Sequence, residues 1–212
     1  MILILALLLS NQSGKLAPVN DAGKEPGFTR YVSKLKKALS SRDPKALRKL
    51  VDSEVIIGGF SAKDERGWDQ FALRWDVGNK ESMVWDTLTD LVELGFFREV
   101  PSIYVTPYVA WKFPKELDER DYWVVLRDAL PLRAQPSRDA AVVGLLAFDI
   151  VKRKQVGQGN DAFDWVLVET LDGKQGYVQA AVLRSPLMAR AQFALKNGQW
   201  YLSVLDRAKT IL

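Results

Sequence analysis

Between Asp121 and Arg184 the chain breaks into short β-branched and aromatic runs separated by turn residues, and this texture constrains the fold more than any other feature. The runs are YWVVL, ALPLRA, VVGLLA, IVKRKQV, WVLVET and QGYVQ, six within about 60 residues. Runs this short and closely spaced predict an all-β barrel or sandwich rather than helices. LDGK, between the last two, reads as a hairpin turn, because Asp172 and Gly173 suit positive φ angles. Pro136 and Ser137 turn the chain out of ALPLRA, and Arg133 at the strand end anchors that turn through hydrogen bonds.

The preceding stretch has a different period. Phe28, Val32, Leu35 and Leu39 line one face of a helix, and Asp43 with Pro44 is an N-cap followed by a first helical position for Leu47, Leu50 and Val51. EVIIGGF reads as a buried strand. Trp68, Phe71, Ala72 and Trp75 repeat at helical spacing, as do Trp85, Leu88, Leu91 and Val92 before the C-capping Gly95. In PSIYVTPYVAWKFP the prolines at 101, 107 and 114 exclude a helix and predict an extended edge segment whose aromatics clasp two domains. At the far end, Asn197-Gly198 predicts a hairpin with Phe193 and Leu195 on one arm and Trp200, Leu202 and Val204 on the other. A lone hairpin is marginal in water, so it is expected to pair with EVIIGGF or with the Tyr104 to Phe113 segment. The fold class expected is α+β: residues 28–120 form a mainly helical domain, 121–184 a small β-barrel, and 185–212 a hairpin completing the first domain.

Composition removes much chemistry. The chain has no Cys and no His, so disulfides, thiol nucleophiles, imidazole bases and the usual zinc ligand sets are excluded, and no metal or cofactor is expected. Carboxylate catalysis survives. Asp86, Asp90 and Glu93 share a helix face that reads as solvated, and Asp64 or Glu65 in the SAKDERG loop is the alternative for an acid/base residue. The net charge of +4 is spread along the chain, and VKRKQV places Lys152 and Lys154 on one strand face with Arg153 on the other, which makes no phosphate track. VGQGND leads into another strand, so it is no phosphate loop, and no nucleic-acid partner is expected. Ile2 to Leu9 is an apolar run too short to span a bilayer and reads as a signal-peptide core ahead of a flexible 1–27 segment, which predicts export to the periplasm or envelope without a stable transmembrane anchor.

ALPLRAQPS, VVGLLAFDIV and DWVLVETLDGKQGYVQAAVL together resemble a bacterial SH3 domain over residues 122–184. RDPKALRKLV, PYVAWKFP and LRSPLMARAQFALKNGQWYL extend the resemblance to bacterial SH3-domain proteins with a helical N-terminal region of unassigned function. The resemblance implies an SH3-like barrel in a non-catalytic envelope protein that binds or scaffolds, with peptidoglycan, a peptide or an envelope protein as partner. It places Trp165 at the groove tryptophan and Tyr177 beside it. Gln179, Ala180 and Ala181 stand where a Pro and a Tyr complete the polyproline groove elsewhere, so a proline-rich peptide is not the expected ligand. The candidate ligand-binding residues are Trp165, Tyr177, Tyr108 and Trp111, the last two facing a cleft between domains. The alternative function is a carboxylate-dependent glycan hydrolase targeted by the barrel.

Overall fold

A computed structural model of the protein describes residues 14–58, 65–156 and 165–207. The apolar run at Ile2 to Leu9, Asp64 and most of VGQGND therefore lie outside the described residues.

Helix α1 (Pro26–Ser40) begins where the sequence supplies partners for its free amides: the Glu25 carboxylate accepts from the N–H groups of Gly27 and Phe28, and Pro26 occupies a position with no amide to satisfy. Asp43 caps α2 (Pro44–Arg48) in the same way through the amides of Lys45 and Ala46. Strand β1 (Val51–Ile57) follows, then the short β2 (Glu65–Arg66), α3 (Trp68–Arg74) and α4 (Met83–Glu93), which Ser82 caps. Strands β3 (Phe97–Val100) and β4 (Ile103–Thr106) form a hairpin.

These four strands do not make a continuous sheet by themselves. The last strands of the chain, β12 (Arg190–Lys196) and β13 (Gln199–Asp206), enter between them to give the order β2-β1-β13-β12-β4-β3. β13 runs parallel to β1, with Val51 opposite Leu202, and β12 runs antiparallel to β4, with Phe193 opposite Tyr104. The β12–β13 turn carries left-handed Asn197 and Gly198 at φ 50° and 77°. The core lies where α1 and α4 meet this sheet. Phe28 stacks on Tyr104 with ring centroids 3.8 Å apart, and Phe96, Phe193 and Trp200 meet Phe28 edge-on. The Trp200 indole N–H donates to Glu25 Oε2 at 2.9 Å, so the residue that caps α1 also ties it to the central strand.

Between β4 and β12 the chain builds a second sheet: β5 (Tyr122–Val125), β6 (Leu130–Arg133), β7 (Val142–Leu146), β8 (Ile150–Val156), β9 (Trp165–Thr170), β10 (Gln175–Gln179) and β11 (Leu183–Arg184). Its order is β11-β5-β8-β9-β10-β6-β7, with every pair antiparallel. Val125, Leu132, Leu146, Val151, Val166, Val168, Val178 and Leu183 form its core. Gly176 is required there: a Cβ would lie 2.5 Å from Leu132 Cγ and 2.8 Å from the Arg133 carbonyl. The Arg133 guanidinium donates from Nη1 to the Ala140 carbonyl at 2.8 Å, closing the loop after β6. A third cluster, built on Tyr108, Val109, Phe113, Val124 and Ile150, packs the segment after β4 against the second sheet.

Two expectations need correction. The α+β class, with a mainly helical N-terminal domain followed by a small SH3-like barrel, gives way to a mostly β molecule of two large sheets, of six and seven strands, with five short α-helices among the described residues. The helical stripes exist, but they bury against a sheet whose central strands come from the far end of the chain. The segment punctuated by prolines also contains a helix, α5 (Tyr108–Lys112). Pro107 sits at its N-cap, where a missing N–H costs nothing, and Pro114 comes after its end, so a single turn and a half fits between them. Among the described residues no helix is long and apolar enough to cross a membrane.

Candidate functional site

The four aromatic candidates occupy two separate places. Val166, Val168 and Val178 face the second core, so alternation puts Trp165, Leu167, Tyr177 and Gln179 on the opposite face of β9 and β10. Tyr177 stands opposite Leu167 and also opposite Arg133, whereas Trp165 stands opposite Gln179. The two aromatics thus share a face, but Trp165 is only 7% exposed and Tyr177 is half-buried. Tyr108 and Trp111 lie on α5. Tyr108 is 1% exposed, and burial pushes its hydroxyl up to about 12. Trp111 is half-buried beneath the Arg190 guanidinium, 5.9 Å from its ring, and Arg190 Nε also reaches Asp206 Oδ2 at 3.1 Å.

The carboxylates weighed for catalysis are dispersed. Asp86 pairs with Arg42 at 2.7 Å and Glu65 with Arg74 at 3.1 Å, both in exposed settings. Glu93 borders a groove of ≈ 210 Å³ between α1 and α4, across from Lys36. The VKRKQV cations are engaged locally: Lys152 with Asp121, Lys154 with Glu169, and Arg153 over the Trp123 ring. Among the described residues no group of three or more His, Cys, Asp or Glu side chains is placed to hold a metal.

The polar concavity that the fold does assemble was not visible as a motif. It lies at the turn end of the first sheet, has a volume of ≈ 340 Å³, and is lined by Arg48, Lys49, Asp52, Lys196, Asn197 and Tyr201 among others. Each wall has a local cause. The Asp43 cap fixes α2, whose end delivers Arg48 and Lys49, and the chain then passes directly into β1. The Asn197-Gly198 turn brings Lys196 over β1. Asp52 forms the floor, with its side chain 6% exposed. Its Oδ1 accepts the Glu54 amide at 2.9 Å, and its Oδ2 pairs with the Lys196 ammonium. Burial alone would raise the Asp52 carboxyl, but Lys196 and the Glu54 amide outweigh it and hold the group below its ordinary value. Arg48 is oriented by the Trp68 ring, 5.0 Å from its guanidinium carbon, and by a long hydrogen bond from Nη1 to the Val51 carbonyl at 3.4 Å. Three cations and one carboxylate leave the lining at a formal charge of +2. Because Lys196 is committed to Asp52, the charges left to face a ligand are those of Arg48 and Lys49.

No family model matches the chain, and no curated protein matches it. Among solved structures, one named Rd1NTF2_05, carrying five substitutions, is 10% identical over 88% of this chain and 96% of its own, with a TM-score of 0.27. A likeness that low carries no argument about fold or function.

Proposed function

We propose that this is a non-catalytic binding protein of the bacterial envelope that holds an anionic component, peptidoglycan or an envelope peptide, in the pocket between α2, β1 and the β12–β13 turn. The observation that carries the reading is the cationic lining around the buried Asp52–Lys196 pair. A built pocket with convergent polar groups is the expected form of a ligand site, and this one rests on capped helix and paired strands rather than on loose loops. Peptidoglycan peptides carry free carboxylates, which suit guanidinium and ammonium donors. The export expected from the apolar run Ile2 to Leu9 is part of the proposal.

Co-sedimentation of the purified protein with sacculi tests the proposal. The wild-type chain is expected in the pellet without release of soluble muropeptides, and Lys49→Glu is expected to shift it to the supernatant. Equal sedimentation of wild type and variant would remove the pocket from the reading, and muropeptide release would replace binding with hydrolysis.

A further inference from the structure

We infer that the pocket at the end of α2 selects a compact dianion: a phosphate monoester or a pair of neighbouring carboxylates on one ligand. The inference rests on the pocket being the binding site and goes on to its chemistry.

The charge arithmetic points there first. The lining is formally +2 once Asp52 is counted, and Asp52 and Lys196 already neutralise each other at the floor. A monoanion would leave one cation unmatched, whereas a dianion balances Arg48 and Lys49 together. The geometry adds a direction. Trp68 and the Val51 carbonyl fix the plane of the Arg48 guanidinium, which presents its remaining donors as a fork, the arrangement that suits carboxylate and phosphate oxygens. Lys49, exposed and flexible, supplies a point charge that follows the second oxygen set. Size sets the limit. An open concavity of ≈ 340 Å³ admits a charged head group and a few atoms beyond it, while the rest of a polymer stays outside. Asp52 acts as a governor: it holds Lys196 against the floor and lowers the positive potential that the ligand meets.

Calorimetric titration of the full chain with inorganic phosphate and, separately, with glutarate tests this. The expected result is saturable one-site binding of at least one probe, weakened roughly tenfold by Arg48→Glu or Lys49→Glu and weakened by salt. Asp52→Asn keeps the shape and the Glu54 contact but removes the opposing charge, and is expected to tighten binding by roughly threefold or more. Phosphate binding alone assigns a phosphate ester, and glutarate binding alone assigns paired carboxylates. No saturable binding of either probe, binding unaffected by Lys49→Glu, or weaker binding by an Asp52→Asn protein with an unchanged melting temperature overturns the inference. Sacculus binding that is lost in Lys49→Glu yet uncompeted by both probes would overturn the dianion while leaving the envelope reading standing. Probe binding without sacculus binding would do the reverse.

Discussion

Glu25 links local and tertiary structure within one carboxylate. It accepts the first free amides of α1 and also the Trp200 indole N–H from the middle of the sheet. Burial opposes its charge, but the amides of Gly27 and Phe28 and the indole hold its carboxyl below the ordinary 4.5. Asp21 and Asp52 are likewise held below the ordinary 3.8: burial works against both, while Lys24 and the Arg98 amide serve Asp21, and Lys196 and the Glu54 amide serve Asp52. A carboxyl with a depressed folded-state pKa stabilises the fold above its unfolded value, and that contribution disappears as pH falls through the folded value. The melting temperature is therefore expected to drop as pH is lowered below about 4.5, and to drop less steeply in Glu25→Gln. Glu25→Ala is expected to cost about 1–2 kcal/mol in a urea titration at neutral pH, since a cap and a side-chain hydrogen bond are lost together. A cost within error of zero would mean that solvent replaces both partners.

At the scale of elements, what could be read from the sequence was what neighbours in the chain decide. Asp43 and Pro44 announced α2, and Asn197-Gly198 announced its turn, because a cap or a left-handed residue acts within three or four positions. α5 lies between prolines whose number argues against a helix, whereas their places, Pro107 at its N-cap and Pro114 beyond its end, permit one. The pocket was not legible: the hairpin was expected to pair with EVIIGGF or the Tyr104 to Phe113 segment, but the parallel register that sets Val51 opposite Leu202 and so brings residues 48–53 and 196–201 together is encoded in no short-range pattern. Gly176 shows the same limit, since a glycine before a tyrosine does not reveal that β6 crosses within contact of its α-carbon. Gly176→Ala is expected to destabilise the second sheet by about 1–3 kcal/mol, because the Arg133 carbonyl cannot move aside as a flexible side chain can. Gly198→Ala, which meets open space but keeps φ at 77°, is expected to cost about 1 kcal/mol from backbone strain alone. Equal losses in the two variants would show that contact with β6 adds nothing.

For the whole molecule, counting amphipathic helices in the first half gave the wrong class. Helical stripes are conspicuous in sequence, while the C-terminal hairpin, expected only to complete that domain, supplies the central strands of a six-stranded sheet. The arrangement predicts where resistance to opening is greatest. Leu202 and Val204 sit on a strand paired on both edges and packed beneath α1, so their amides are expected to exchange with deuterium only through global unfolding. Amides of Val143 and Leu145, on the edge strand β7, are expected to exchange orders of magnitude faster. Similar protection in both places would contradict the central role of the C-terminal hairpin. That role also bears on biosynthesis. As the chain leaves the ribosome, β1 and β4 emerge early with open edges, the intervening seven-stranded sheet can close from nearby partners, and the strands that join β1 to β4 are translated only after it. Completion of the first sheet thus waits on the second, and the nascent polypeptide keeps those edges open, and accessible to chaperones, until β12 and β13 emerge.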